Sequence, residues 1–170
     1  PIKSSAASDV YKRQIQIGTE DYPYTGTFDG KGHTIDGVAI NSASTSKTEV
    51  MYNGFFRYVG SGAVIKNLTL EGEINTNYVS AGGFAGYAEH AAFENCVNRV
   101  DVTGTKKHST RGDQLPAAGI AGKAVETSFT ACSNEGKITG TSHVGGIVGY
   151  AEMCAISECS NNGKVFANYS

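Results

Sequence analysis

Tryptophan is absent from these 170 residues, while leucine and proline occur only 3 times each and methionine twice. The shortage of leucine removes a principal filler of helix–helix seams, and isoleucine plus valine outnumber it 24 to 3. β-Branched side chains suit pleated, half-buried surfaces, so long helices are not expected. No apolar run approaches the roughly 18 residues of a membrane-spanning helix. Charge of one sign is also missing: 14 basic and 16 acidic residues leave a formal net charge of -2. That balance lacks the basic footprint of a nucleic-acid binder. Common enzyme signatures are absent too: no His-Glu-x-x-His, Gly-x-Ser-x-Gly, Walker loop or dinucleotide fingerprint occurs. The four histidines, His33, His90, His108 and His143, have no recurring partner near them in sequence.

What the chain does have is glycine, 22 residues of it, and a segment that repeats. Gly83-Phe84-Ala85-Gly86, Gly119-Ile120-Ala121-Gly122 and Gly146-Ile147-Val148-Gly149 each open a unit. Each is followed by a large apolar residue (Phe93, Phe129, Ile156), a cysteine (Cys96, Cys132, Cys159) and an asparagine (Asn98, Asn134, Asn161) at fixed offsets. A weaker copy precedes them, with Gly54-Phe55-Phe56 shifted by one residue and Leu68 at the cysteine position. Repeats of about 20–50 residues indicate solenoids, propellers or arrays. From each cysteine position the pattern alternates with period two, which places one set of residues on one strand face. The odd interval from Phe93 to Cys96 then requires a corner at Glu94-Asn95. Short strands separated by corners, with a unit of roughly 27 residues, describe one coil of a β-solenoid. A propeller blade takes about 40–45 residues. The expected fold is therefore all-β, a right-handed parallel β-helix of about four to five coils.

Domain organisation follows from the same pattern. Residues 1–14 lack the glycine-rich β character and resemble translated sequencing-adapter read-through at the end of a metagenomic gene fragment, so they are set aside from the fold. Residues 15–52 form an N-terminal β region with the first coil, and 53–170 hold repeats at about 53–80, 81–116, 117–143 and 144–170. Cys96 to Cys132 is longer than Cys132 to Cys159, which places an inserted loop near 106–116. Native chain is expected beyond Ser170, because solenoid ends need caps.

Several residue sets invite a functional reading. The cysteine row reads as small buried apolar side chains, with a disulfide between adjacent coils as the competing reading. Cys154 and Cys159 lack the second pair that a zinc site would need. The asparagine row reads as a structural ladder. Arg111-Gly112-Asp113 matches an integrin-binding tripeptide but is also ordinary turn chemistry. Tyr87 and Tyr150 fall in one column with Lys123 between them, an arrangement suited to sugar faces or to corner packing. Thr103-Gly104-Thr105, Thr139-Gly140-Thr141 and Thr25-Gly26-Thr27 are favoured as turns over an ice-binding array. Glu71 and Glu73 share a strand face, with Asp29 and Asp36 also in the N-terminal half, and paired carboxylates can hydrolyse glycosides. On a solvated strand such a pair more often solubilises. No residue is assigned to catalysis, a cofactor or a metal, and an enzyme is not expected.

The units Gly-Gly-x-x-Gly…(Ile/Phe)-x-x-Cys-x-Asn-x-Gly resemble the GLUG motif of bacterial secreted and surface proteins, over residues 83–166 and more loosely over 53–76. Phe28-Asp29-Gly30-Lys31-Gly32-His33-Thr34-Ile35 resembles a segment that leads into such arrays, and is expected to begin the first coil with a turn at Asp29–Gly32. Val100 stands where the motif usually has glycine. The resemblance implies an extracellular or cell-surface β-helical protein, adhesin-like or a non-catalytic region of a secreted peptidase. The expected role is a structural stalk or adhesive module whose partners are surface glycans or proteins. The alternatives are a carbohydrate-binding or carbohydrate-active β-helix, and a spacer in a larger secreted protease. An acidic or aromatic cleft on one lateral face would favour the carbohydrate reading; a flat face would favour the stalk.

Overall fold

A computed structural model describes residues 16–43, 51–77, 79–104 and 115–168. Residues 1–14, Arg111-Gly112-Asp113, His108, Thr105 and most of the 106–116 loop lie outside the described residues. No helix occurs among the described residues, and none is long and apolar enough to cross a membrane. The strands are parallel and stack coil on coil. Coil one consists of a segment bridged through Ile17 and Tyr24, followed by β1 (Thr27–Ala43). Coil two comprises β2 (Met51–Asn53), β3 (Phe56–Val59) and β4 (Val64–Asn77). Coil three comprises β5 (Val79–Gly82), β6 (Ala85–Glu89) and β7 (Ala92–Gly104). In coil four, β8 (Ala117–Ala118) and β9 (Ala121–Val125) precede β10 (Ser128–Thr130), β11 (Ser133–Asn134) and β12 (Ile138–Gly140). Coil five repeats this with β13 (Val144–Gly145), β14 (Val148–Glu152), β15 (Ala155–Ser157), β16 (Ser160–Asn161) and β17 (Val165–Ala167).

Each coil crosses three faces in turn. The first carries β2, β5, β8 and β13; the second carries β3, β6, β9 and β14; the third holds the remaining strands. The all-β, parallel, stacked architecture read from the repeat is thus present. Twelve residues separate Gly104 from Ala117, where three separate Gly140 from Val144, which locates the insertion between coils three and four.

The leading Phe28–Ile35 segment is placed differently from expectation. Coil one already begins at Ile17, which pairs with Phe56, and Asp29–Gly32 is a bulge inside β1 on the third face. Four steps from Asp29 to His33 span two steps of β4 from Lys66 to Leu68. Lys31 and Gly32 take φ of 52° and 78° there, and Asp29 Oδ1 accepts from the Lys31 amide at 2.9 Å. Glycine tolerates that region without the Cβ penalty.

Stacking in register sets the interior. Ile65, Phe93, Phe129 and Ile156 form one column, and the Phe93 and Phe129 rings lie 5.2 Å apart at 9°. Leu68 pairs with Cys96, and the buried Cys132 amide donates to Cys159 Sγ at 3.4 Å, so the thiols occupy an interior row. All four cysteines are free. Leu70, Asn98, Asn134 and Asn161 form the third column. Asn98 and Asn134 are fully buried. Asn98 Nδ2 donates to Asn134 Oδ1 at 2.7 Å, and Asn134 Nδ2 donates to Asn161 Oδ1 at 2.7 Å. Each also donates to the carbonyl two residues on, Val100, Gly136 or Gly163. A buried amide is costly only when unpaired, and here every rung is paired.

The corner expected at Glu94-Asn95 is real. Asn95 adopts φ 51°, and its counterparts Asn67, Ala131 and Glu158 adopt 52°, 52° and 56°. Two stability changes follow. Asn134→Ala removes a partner from Asn98, Gly136 and Asn161 at once, so it should cost about 3 kcal/mol, read as a lowered urea midpoint. Ala131→Gly relieves a left-handed alanine and should raise stability by about 0.5–1 kcal/mol, after the extra freedom of glycine in the unfolded chain is offset.

Candidate functional site

The second face carries a column in which Tyr58 pairs with Tyr87, Tyr87 with Lys123, and Lys123 with Tyr150. Successive residues of a strand face opposite ways, so these side chains lie on the outer side, with Tyr58 nearly buried there, while the adjacent Val59, Ala88 and Ala124 turn into the core. Lys123 Nζ lies 5.7 Å from the Tyr87 centroid and 5.5 Å from that of Tyr150, within reach of both rings. The expected Tyr87–Lys123–Tyr150 column is therefore present. Tyr150 does not line the concavity beside Tyr87, and its ring meets His143 edge-on at 5.6 Å.

The concavity lies on the other side of Tyr87. Tyr52 arrives from β2 and packs against Tyr58 and Tyr87, with centroids 5.3 and 5.1 Å away, and Tyr58 and Tyr87 are 5.9 Å apart. Gly86 permits this approach, because a Cβ there would meet the Tyr52 Cβ at 2.8 Å. Gly60 does the same for Pro23, whose ring atoms would lie 2.9 Å from an added Cβ. The coil-one segment brings Pro23 and Glu20 over this edge. The result is a cleft of about 290 Å³, walled by the three tyrosines and edged by Glu20, Glu89 and Lys123.

The polar groups of the cleft are only partly engaged. Tyr58 Oη donates to Glu20 Oε2 at 3.5 Å, and Tyr87 Oη donates to Glu89 Oε2 at 3.4 Å. These lie at the outer limit of hydroxyl hydrogen bonds, and His90 Nε2 lies 3.7 Å from Glu89 Oε1, so both carboxylates keep accepting capacity. Burial, reinforced by the neighbouring glutamate, pushes both phenols up to about 12. Both hydroxyls therefore stay neutral donors at physiological pH.

The other sequence candidates fall elsewhere. Glu71 pairs with Arg99 at 2.8 Å, and Arg99 with Glu135 at 2.7 Å, in an exposed charge ladder on the third face. Glu73 stands beside it on the same face, exposed and opposite Asp101. Asp29 accepts from Asn67, which together with the Lys31 amide holds its carboxyl below the usual range. Asp36 accepts from the adjacent Gly37 amide in an exposed turn. Thr103 and Thr139 pair, but the next residue in that column is Phe166, and Thr27 pairs with Val64, so no extended threonine array forms among the described residues. The Cys132 thiol beside it, together with burial, pushes the Cys96 thiol up, and burial pushes Cys159 up. No group of three potential metal ligands occurs among the described residues.

Tyr52, Tyr58, Glu20 and Pro23 escape a reading of the repeat. Coil two is one residue shorter than coil three between Asn53 and Phe56, since Asn53 pairs with Ala81 but Phe56 with Ala85. That slip hides the equivalence of Tyr58 and Tyr87. Glu20 and Pro23 belong to a segment with no repeat signature at all.

This geometry defines a parallel β-solenoid with a lateral aromatic cleft. Compared with known families, residues 140–165 match the model described as the GLUG motif. They run from the end of β12 into β17, covering coil five. The chain is thus a β-solenoid carrying a GLUG motif, consistent with a GLUG-motif family. No curated protein and no solved structure matches it.

The raised phenols set a pH window. Between pH 10 and about 12 an unfolded chain ionises Tyr58 and Tyr87 while the folded chain keeps them protonated. Their contribution to stability is therefore intact below pH 10 and is lost as pH rises through about 12. Ultraviolet difference titration should show late-ionising tyrosines, and Tyr87→Phe should remove one of them.

Proposed function

We propose that this chain is a module of an extracellular or cell-surface bacterial protein, in which the coil stack is a stalk and its lateral surface makes adhesive contacts. The observation that carries this reading is the pairing of a scaffold stacked in register with one concave aromatic cleft on its side. Ladders of side chain and backbone make the stack a stiff support. A cleft with underused carboxylates and neutral phenol donors is a contact surface of the kind that rigid scaffolds present.

The same cleft favours carbohydrate recognition over a purely mechanical spacer. A flat lateral face would have favoured a stalk alone. The solvated pair Glu71 and Glu73 gives no reason to assign hydrolysis, because Glu71 is already neutralised by Arg99. Partners are therefore surface glycans or glycosylated proteins, and nucleic acid is disfavoured by the acidic balance of the chain.

Cell adhesion to the immobilised 170-residue chain tests this. Bacterial or epithelial cells should be retained well above an albumin-coated surface, and retention should persist in Asp113→Glu, which disables the Arg-Gly-Asp tripeptide. Retention no better than albumin would overturn the adhesive role. Loss of retention in Asp113→Glu would move the contact to the inserted loop.

A further inference from the structure

We infer that the Tyr52–Tyr58–Tyr87 cleft binds a non-acidic pyranoside, a neutral hexoside or an N-acetylhexosaminide presented on a glycan. This rests on the adhesive reading above and names the ligand of its lateral cleft.

The ring geometry comes first. Three rings tilted at 48–74° with centroids 5.1–5.9 Å apart form one packed cluster, in which Tyr58 is 8% exposed and the half-buried Tyr52 and Tyr87 present the open apolar surface. Such a surface matches the C–H face of a pyranose, which is apolar on one side and ringed by hydroxyls at its edge. Polar groups stand where those hydroxyls would point. Glu20 and Glu89 each accept one long hydrogen bond from a tyrosine on Oε2, and Glu89 Oε1 lies 3.7 Å from His90 Nε2, while a carboxylate has about four accepting positions. Lys123 supplies donors at the same edge. The volume of about 290 Å³ sits at the small end of ligand sites, suited to a sugar ring rather than a folded domain.

Charge selects within the sugars. Two carboxylates against one ammonium leave the rim net negative, which opposes uronates, sialates and phosphates. A cationic ligand is the natural rival, since aromatic walls attract cations. Here that position is already taken: Lys123 lies over the Tyr87 ring and continues to Tyr150. What remains open is the exposed part of Tyr52 and the part of Tyr87 that Lys123 does not cover, together with acceptors for neutral donors. A protein partner would need a much larger contact than one cleft provides.

The test uses the whole chain on immobilised glycans: glucan, mannan, galactan and chitin oligosaccharides against polygalacturonate and sialyllactose. Wild type should bind at least one of the neutral or N-acetylated set and neither acidic glycan. Glu89→Gln and Tyr87→Ala should each weaken that binding at least tenfold. Glu89→Gln keeps the ring wall and its packing, so its effect reads the polar contact rather than the fold, and thermal melts of both variants verify that the solenoid is intact. Binding confined to the acidic glycans would overturn the inference. So would binding that neither folded variant reduces, or a folded wild-type chain that binds no glycan. Cell adhesion without glycan binding would sink the ligand and leave the adhesive module standing; glycan binding without cell adhesion would do the reverse.

Discussion

Parallel pairing in register brings each residue to within about 4.8 Å of its counterpart in the next coil, and everything else in this protein has to be compatible with that closeness. A side chain in a column must tolerate a copy of itself. Aromatic rings do so by stacking, as Phe93 does on Phe129. Thiols do so as small apolar groups. Asparagine does so because one carboxamide both donates and accepts, so Asn98, Asn134 and Asn161 can pass hydrogen bonds along a single direction. Aspartate could not repeat in that place, having only acceptors when ionised. One charged column alternates, Glu71, Arg99 and Glu135 interleaving signs, while Glu73 and Asp101 meet as like charges only where both are solvated. On the second face Lys123 separates Tyr87 from Tyr150.

The corners carry the cost of this arrangement. Non-glycine residues occupy the left-handed region at Asn67, Asn95, Ala131 and Glu158 on one edge, and at His90, Glu126 and Met153 on another. Left-handed backbone penalises a Cβ by roughly 1–2 kcal/mol. It persists because hydrogen bonds from neighbouring coils over-determine the turn. Asn95 Nδ2 donates to Asn67 Oδ1 at 3.1 Å, and Asn67 Nδ2 donates to Asp29 Oδ1 at 3.0 Å, so part of the corner is laddered as the interior is.

Features tied to the column rule were legible in the residues themselves. The Phe93/Phe129/Ile156, Cys96/Cys132/Cys159 and Asn98/Asn134/Asn161 offsets translate directly into columns, and the parity break before Cys96 locates the bend at Asn95. The outward Tyr87–Lys123–Tyr150 series follows from the same offsets. The cleft did not follow, because it is made where the repeat is imperfect. Coil two is a residue short before Phe56, and this hides Tyr58. Tyr52 reaches the second face around a corner, and Glu20 and Pro23 come from a segment with two bridging positions and no repeated signature. A periodic sequence reports its periodic core well, while a binding surface grows from the departures, where neighbouring coils stop being equivalent.

The functional reading inherits that division of labour: regular coils give stiffness, and the irregular N-terminal edge gives a concave contact surface. Both depend on the columns being occupied as described. The most direct measurement is nuclear magnetic resonance of the asparagine side chains. The account predicts that the Asn134 carboxamide protons exchange slowly with solvent and show Overhauser contacts to both Asn98 and Asn161. Rapid exchange with no contact to either asparagine would contradict the coil-on-coil architecture on which the cleft is built.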